Sequence, residues 1–331
     1  MSKEFLTSKE KINDKELVLM LNERFLKQIV DEVVDNTLNS PNDPETGGYI
    51  LGIRDAKDKN RNIYVPIASF TPKDDWGEIE KLAAHLSIGG PLANLYRKWQ
   101  VANWQNIYPT FYKDFPFQPD DPNTKLTLLG IWHRHPGNML SFSNEDSNTI
   151  DRILKTPGKE DFIFPIVILG EGIPRDENSF RMETAVGNLD INFYYRSAVS
   201  SQTKILTPEI YNSQLFPNLA NSPWYAEEPS YFKKELKAFQ KLGYKTGIRF
   251  ITPSGQKTPE IWLQLVHQEL TDPVYIKTSV NFHEDRTFFI KFSDPSTALS
   301  CARGMILPEE NGRTMADIIE PLLLYLLNNK T

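Results

Sequence analysis

Along residues 16–38 apolar side chains recur four apart, at Leu17, Leu21, Phe25, Ile29 and Val33, with Met20, Val30 and Val34 beside them. This period predicts one amphipathic helix with a broad apolar stripe. The turn formers Asn39-Ser40-Pro41-Asn42-Asp43-Pro44 stop it, and the Gly-rich, then apolar run 47–53 reads as a strand. Polar residues 55–62 predict a turn into a second strand over 63–70. A helical pattern occupies 74–105 through Ile79, Leu82, Ala83 and Leu86, breaks near Gly89-Gly90-Pro91 and resumes at Leu92, Leu95, Tyr96 and Trp99. A proline- and aromatic-rich loop covers 108–123. Beyond it the pattern predicts an apolar strand (126–132), a helix (145–154), a buried strand (162–169) and further strands at 179–186 and 190–197.

At Ser200-Ser201-Gln202-Thr203 the chain turns polar, which predicts a boundary between a first domain, 1–199, and a second, 200–331. The second domain shows a helix at 231–242, strand-like alternation at 246–252, 261–266, 274–280 and 287–292, and a closing apolar helix at 314–327. The expected architecture is α/β, followed by a smaller α+β domain that serves as a binding or dimerisation module.

Length supports this division, because the 331 residues exceed the size at which single cores stop growing. With 40% hydrophobic, 11% aromatic and 24% charged residues, the chain has ample core material, which argues against general disorder. A formal net charge of -6 offers no chain-wide attraction for phosphate backbones or anionic lipid, and no local basic patch stands out. Neither nucleic acid nor membrane is therefore an expected partner. The single cysteine, Cys301, excludes an internal disulfide framework and reads as a small buried hydrophobe. Residues 1–16 are polar, and no apolar run approaches the ~20 residues that span a bilayer, so the expected location is the cytoplasm.

Candidate chemistry concentrates in Gly130-Ile131-Trp132-His133-Arg134-His135-Pro136-Gly137 and in Ser143-Asn144-Glu145-Asp146. Two histidines one residue apart at a strand end project to the same side, because side chains alternate with period two. Ser143 occupies an expected helix N-cap, which places Asp146 one turn in and able to face back toward the histidines. Two imidazoles and a carboxylate make a three-ligand set of the kind catalytic zinc sites use, with the fourth tetrahedral position open for water. A carboxylate base is still needed to move protons, and Glu45 is the candidate.

These residues resemble the JAMM, or MPN-plus (JAB domain), zinc metalloprotease family, whose signature is a distant glutamate followed by H-x-H-x7-S-x2-D. Glu45, His133, His135, Ser143 and Asp146 match it at the required spacing, and the family's glutamate commonly precedes a Gly-rich strand, as Glu45-Thr46-Gly47-Gly48-Tyr49 does here. The resemblance covers roughly residues 16–195 and implies a cytidine-deaminase-like α/β sheet flanked by helices. By this likeness His133, His135 and Asp146 would bind one Zn2+ per chain. Glu45 would act as the general base, and Ser143 would hydrogen-bond the oxyanion. The implied substrates are ubiquitin or ubiquitin-like modifiers and their conjugates, cleaved after the modifier's C-terminus. The setting would be a bacterial conjugation or defence system with its own activating and conjugating enzymes. Arg134 departs from the small residue that eukaryotic members carry between the histidines, which bears on substrate and not on metal.

Plainer readings exist for each residue alone. His133 at a strand end is commonly a structural histidine, Ser143 with Asp146 is an S-x-x-D capping box, and Glu45 is an ordinary turn residue after Pro44. Glu145 is expected to be solvated, and His85, His267 and His283 lack partner spacing. An insertion around 87–125 carries Tyr96, Trp99, Trp104, Tyr108, Phe111, Tyr112, Phe115 and Phe117, which read mostly as packing. Some of these rings could line a groove for an extended modifier tail, bound by β-strand addition. The second domain's order of helix, strands and helix faintly resembles RWD or ubiquitin-conjugating folds, without an active-site cysteine in a matching context. Two other functions stay open: a peptidase that processes a sulfur-carrier-like protein, and a non-catalytic MPN scaffold. The complete ligand set argues against the scaffold.

Overall fold

The computed structural model describes residues 11–12, 15–39, 45–55, 60–71, 79–82, 85–88, 91–111, 124–135, 139–170, 179–217, 219, 229–251, 260–270, 272–279, 282–292, 303–307 and 313–328. The chain divides into two compact units, residues 1–72, 79–88 and 108–219 in one and 73–78, 89–107 and 220–331 in the other. In chain order the elements up to residue 211 are β1 (Lys11–Ile12), β2 (Lys15–Asn22), α1 (Glu23–Asn39), β3 (Thr46–Asp55), β4 (Arg61–Phe70), β5 (Ile79–Leu82), β6 (His85–Ile88), α2 (Pro91–Phe111), β7 (Thr127–Arg134), α3 (Asn144–Leu154), β8 (Asp161–Gly170), β9 (Phe180–Thr184), β10 (Gly187–Ser197), β11 (Ser200–Leu206) and β12 (Pro208–Tyr211).

The first unit is built on a mixed ten-stranded sheet of main order β1-β2-β4-β3-β7-β8-β10-β11, with β12 beside β2 and β9 beside β10. The pairs β2–β4, β7–β8 and β12–β2 run parallel, and β3 pairs antiparallel with both β4 and β7. A core of Phe25, Leu26, Ile29 and Val33 from α1 packs with Trp132, Val167 and Ile191 from the sheet. A second core joins Ile150 of α3 to Phe162, Phe164, Ile166 and Tyr194, with Ile131 packed against it. Histidines on β7 that share the parity of Ile131 therefore face the α3 side.

Four stretches differ from their sequence patterns; one is the start of the loop expected over 108–123, where residues 108–111 are the last turn of α2 and 112–123 lie outside the described residues. The single helix expected over 16–38 is a strand, β2, followed by α1 from Glu23. Leu17, Val18, Leu19, Met20 and Leu21 are all buried, a continuous run that suits a strand covered on both faces, and a spacing of four is met equally by strand then helix. Asn22 makes the switch, its Oδ1 accepting from the Phe25 amide at 2.9 Å. Within the helical pattern expected at 74–105, Ile79–Leu82 and His85–Ile88 form the antiparallel pair β5–β6, with Ile79 opposite Ile88, while 74–78, 83–84 and 89–90 lie outside the described residues; the described helix begins at Pro91, a residue pre-set for a first turn. The polar run at 200–203 is strand and not linker: β11 returns antiparallel along β10, Ser197 opposite Ser200, and the first unit continues to 219.

Elsewhere β3, β4, β7, α3, β8, β9 and β10 fall close to their expected places. The second unit contains α4 (Pro229–Lys241), β13 (Lys245–Ile251), β14 (Glu260–Val266), β15 (Val274–Thr278), α5 (Phe282–Asp285), β16 (Thr287–Lys291), β17 (Arg303–Ile306) and α6 (Met315–Asn328). Its strands form an antiparallel meander, β13-β14-β15-β16-β17, in which alternate residues Leu263, Leu265, Val274, Ile276, Phe288 and Ile290 are buried. Buried Glu235 of α4 accepts the Met315 amide at 2.8 Å, tying α4 to the start of α6. The fold is thus a mixed α/β unit with a large sheet and a second, antiparallel α+β unit. Strand β17 carries no clear alternation and was not expected, and Cys301 lies outside the described residues. Among the described residues no helix is long and apolar enough to cross a membrane.

Gly130 sets how closely β7 and β8 approach: a Cβ there would collide with the Ile163 carbonyl oxygen, a backbone atom that cannot swing away. Gly130→Ala should therefore lower Tm by roughly 2–10 °C, from an overpacking cost of about 1–3 kcal/mol. Thermal unfolding followed by circular dichroism checks this, and an unchanged Tm would show that the two strands have slack.

Candidate metal centre

Strand β7 ends at Arg134, with His133 on the α3 side of the sheet, and the chain stays extended for one more residue, His135. The His135 amide donates to the Val167 carbonyl at 3.0 Å, continuing the β7–β8 ladder past the strand end. Both imidazoles therefore project from the same face, their ring centroids 4.2 Å apart. Strand β3 lies on the other side of β7, with Thr46 opposite Arg134 and Gly47 opposite His133. Continuing this register places Glu45 opposite His135 and on the histidine face, half-buried, while Gly47 contributes no side chain there.

The third group comes from α3. Ser143 is its N-cap in extended conformation; its Oγ accepts from the Asp146 amide at 3.1 Å, and its own amide donates to Asp146 Oδ2 at 2.7 Å. This is the capping box that S-x-x-D predicts, with an acidic N3 residue suited to the positive end of the helix. It also fixes the Asp146 carboxylate, which faces His133 Nε2 through Oδ1 at 3.4 Å and His135 Nε2 through Oδ2 at 3.1 Å. One ligand atom from each of the three residues lies within 4.8 Å of the others, and all three residues are buried. Such a group could hold a metal ion.

Hydrogen bonding tests the fit. His135 Nδ1 lies 2.7 Å from the Met139 carbonyl oxygen, which can only accept, so Nδ1 carries the proton. In the neutral ring Nε2 then presents a lone pair to a carboxylate oxygen, two acceptors facing each other. A cation between them, or a proton on Nε2, resolves the conflict. Orientation of a ligating histidine through its far nitrogen is the usual outer support of a metal site.

Electrostatics separates the two histidines. Burial first, then the charge of His135, lowers the His133 pKa to about 3, against the opposing pull of Asp146, so His133 is neutral at pH 7. Burial also acts to lower His135, but the hydrogen bond to Asp146, the bond to Met139 and the charges of Asp146 and Glu45 outweigh it and raise its pKa. Burial acts to raise Asp146, and it is overcome first by the His135 hydrogen bond, with the two Ser143 bonds adding to it, leaving its pKa lowered.

The Met139 carbonyl was not legible in the sequence, since a backbone acceptor has no residue signature. The ring of Phe164, edge-on to His133 with centroids 4.9 Å apart, was likewise read only as strand core. His267 stacks on Tyr244 in the second unit, centroids 5.1 Å apart, and Trp99, Trp104 and Tyr108 of α2 are buried. Tyr112, Phe115 and Phe117 lie outside the described residues. Comparison with protein-family models and with curated proteins finds no match for this chain.

The pH dependence of metal uptake follows from these directions. His133 is already deprotonated at neutral pH, whereas a proton on His135, whose pKa is raised above 6.5, competes with the metal. Affinity should fall about tenfold per pH unit below the His135 pKa, for one proton displaced. In the metal-free chain the two rings act oppositely on stability. The His133 contribution is present above pH 6.5 and lost as pH falls toward about 3; the His135 contribution is present below 6.5 and lost as pH rises through its raised pKa. Chelator competition across pH 5–8 measures the first effect, and a flat affinity would contradict it.

Proposed function

We propose that this chain is a zinc-dependent peptidase of the JAMM/MPN-plus kind that cleaves after the C-terminus of a ubiquitin or ubiquitin-like modifier. The observation that carries the reading is the convergence of His133, His135 and Asp146, drawn from a strand end and a helix start; Glu45 directly precedes β3, whose register against β7 extended by one residue would bring it to the same face. Two imidazoles and one carboxylate suit zinc, and three protein ligands are the number that catalytic zinc sites use. Bound zinc would supply Lewis acidity and lower the pKa of a water to about 7.

The chain's own groups account for the remaining chemistry. Glu45 takes a proton from the attacking water as the new C–O bond forms. It then delivers that proton to the leaving amine nitrogen as the C–N bond breaks. Ser143 Oγ accepts from the Asp146 amide while its hydroxyl bonds the Asp146 carboxylate, and that hydroxyl would turn to stabilise the carbonyl oxygen as negative charge develops. The buried apolar surroundings, Phe164 and Phe142 among them, strengthen these charge interactions by excluding water.

Glu45→Gln removes the base and no ligand. It should cut hydrolysis of ubiquitin-like precursors by about 10²–10⁴-fold while metal analysis still finds zinc at the wild-type content. His133→Ala should instead lose the metal and the activity together. Full activity in Glu45→Gln, or a wild-type protein that takes up no zinc, would overturn the reading.

A further inference from the structure

All three candidate ligands lean on one short irregular segment, 139–143. The Met139 carbonyl oxygen lies 2.7 Å from His135 Nδ1. The Phe142 ring packs edge-on to Phe164 at 5.4 Å between centroids, and Phe164 packs edge-on to His133 at 4.9 Å. Ser143 holds Asp146 through both halves of the capping box. A segment outside any helix or strand keeps its shape through side-chain bonds, so what fastens it bears on all three ligands.

That fastening comes from β10. The Tyr194 hydroxyl donates to the Leu140 carbonyl at 2.5 Å, and the Tyr194 ring lies 4.5 Å from that of Phe142. The same hydroxyl accepts from Asn192 Nδ2 at 3.2 Å, and Asn192 Oδ1 accepts from Ser179 Oγ at 2.7 Å. Asn192 and Tyr194 are two residues apart on one strand, share the α3 face and are both buried. Buried amides and hydroxyls are costly unless bonded, and here the donors run in one direction, Ser179 to Asn192 to Tyr194 to Leu140. The ring alone would serve packing; the hydroxyl adds a fixed grip on the backbone between Met139 and Phe142.

We propose that Tyr194 is a positioning residue of the metal centre, its hydroxyl oriented by Asn192 so that segment 139–143 aims His133, His135 and Asp146 at one point. The proposal rests on reading those three residues as metal ligands. Tyr194 touches none of the reacting atoms and acts through the Met139 carbonyl, Phe142 and Ser143.

The test uses the full chain as wild type, Tyr194→Phe and Tyr195→Phe, loaded with Co2+ and titrated against a chelator. Tyr195 is the matched control: its hydroxyl lies 3.5 Å from that of Tyr64, in the core that packs against α1. Loss of an outer support weakens metal binding by about 10–100-fold. Tyr194→Phe should show that loss, together with altered visible bands of the bound Co2+, while its metal-free Tm stays within a few degrees of wild type. Tyr195→Phe should bind as wild type does. Equal affinities for Tyr194→Phe and wild type would overturn the positioning role and leave the metal reading standing. An equal loss in Tyr195→Phe would also overturn it, as general loosening of the sheet. A wild-type protein that takes up no Co2+ or Zn2+ would overturn both. Should Tyr194→Phe fail to fold, Asn192→Ala, which keeps the Tyr194 hydroxyl and removes the amide donor that orients it, is judged by the same measurements.

Discussion

The register of β3 against β7 is the constraint on which the arrangement of the centre depends. Side chains on a strand alternate with period two, so a slip of one residue would send Glu45 to the opposite face from the histidines. Gly47 opposite His133 and Thr46 opposite Arg134 fix that register, and the α1-side core holds it. Trp132, between Ile131 and His133, is fully buried on the α1 side and donates from Nε1 to Ser69 Oγ on β4 at 2.7 Å. A slip would have to expose this indole and break that bond. On the other side β7 is locked to β8 in parallel, close enough at Gly130 that no Cβ fits. The histidines are thus held in part by packing on the opposite face of their own strand.

The polar cost of the centre is offset locally. Three buried titratable side chains side by side would be unstable as isolated charges. Here His133 is neutral by burial, and Asp146 is ionised because two bonds from Ser143 and the imidazole of His135 support its charge. The remaining imbalance sits on His135, between a carbonyl that fixes its tautomer and a carboxylate that favours a positive occupant at Nε2. Opposing pKa shifts on adjacent residues are a common mark of functional sites.

How far this was legible in the sequence depended on whether the determinant was local. The β7 strand, its two histidines and the α3 capping box occupy one stretch in which period two gives way to a helix start, and Ser143 and Asp146 could be placed from spacing alone. Glu45 was legible through the Gly-rich strand that follows it, but its partner strand was not. The run from Leu17 to Leu21 and the residues Ile79, Leu82 and Leu86 met helical spacing, and only their hydrogen-bond partners in the sheet and hairpin make them strands. Likewise Ser200 to Thr203 resembles a linker because an outer strand tolerates polar residues, and only its pairing with β10 distinguishes the two. The grip of Tyr194 on Leu140 bridges residues distant in the chain and ends on a backbone carbonyl, which no spacing rule reports.

Asp146 links the centre to the helix that bears it. Its carboxylate closes the capping box of α3 and faces both imidazoles, so the same bonds that start the helix aim the ligand. A ligand already fixed by a cap loses little further freedom when it binds, and preorganisation of this kind strengthens binding without adding contacts. His135 is fixed in the same way by the Met139 carbonyl, and His133 by Phe164 and the β7 ladder. The three groups that could hold a metal ion are thus each fixed by bonds of their own. A proton on His135 Nε2 and a divalent cation would be alternative occupants of the place between imidazole and carboxylate.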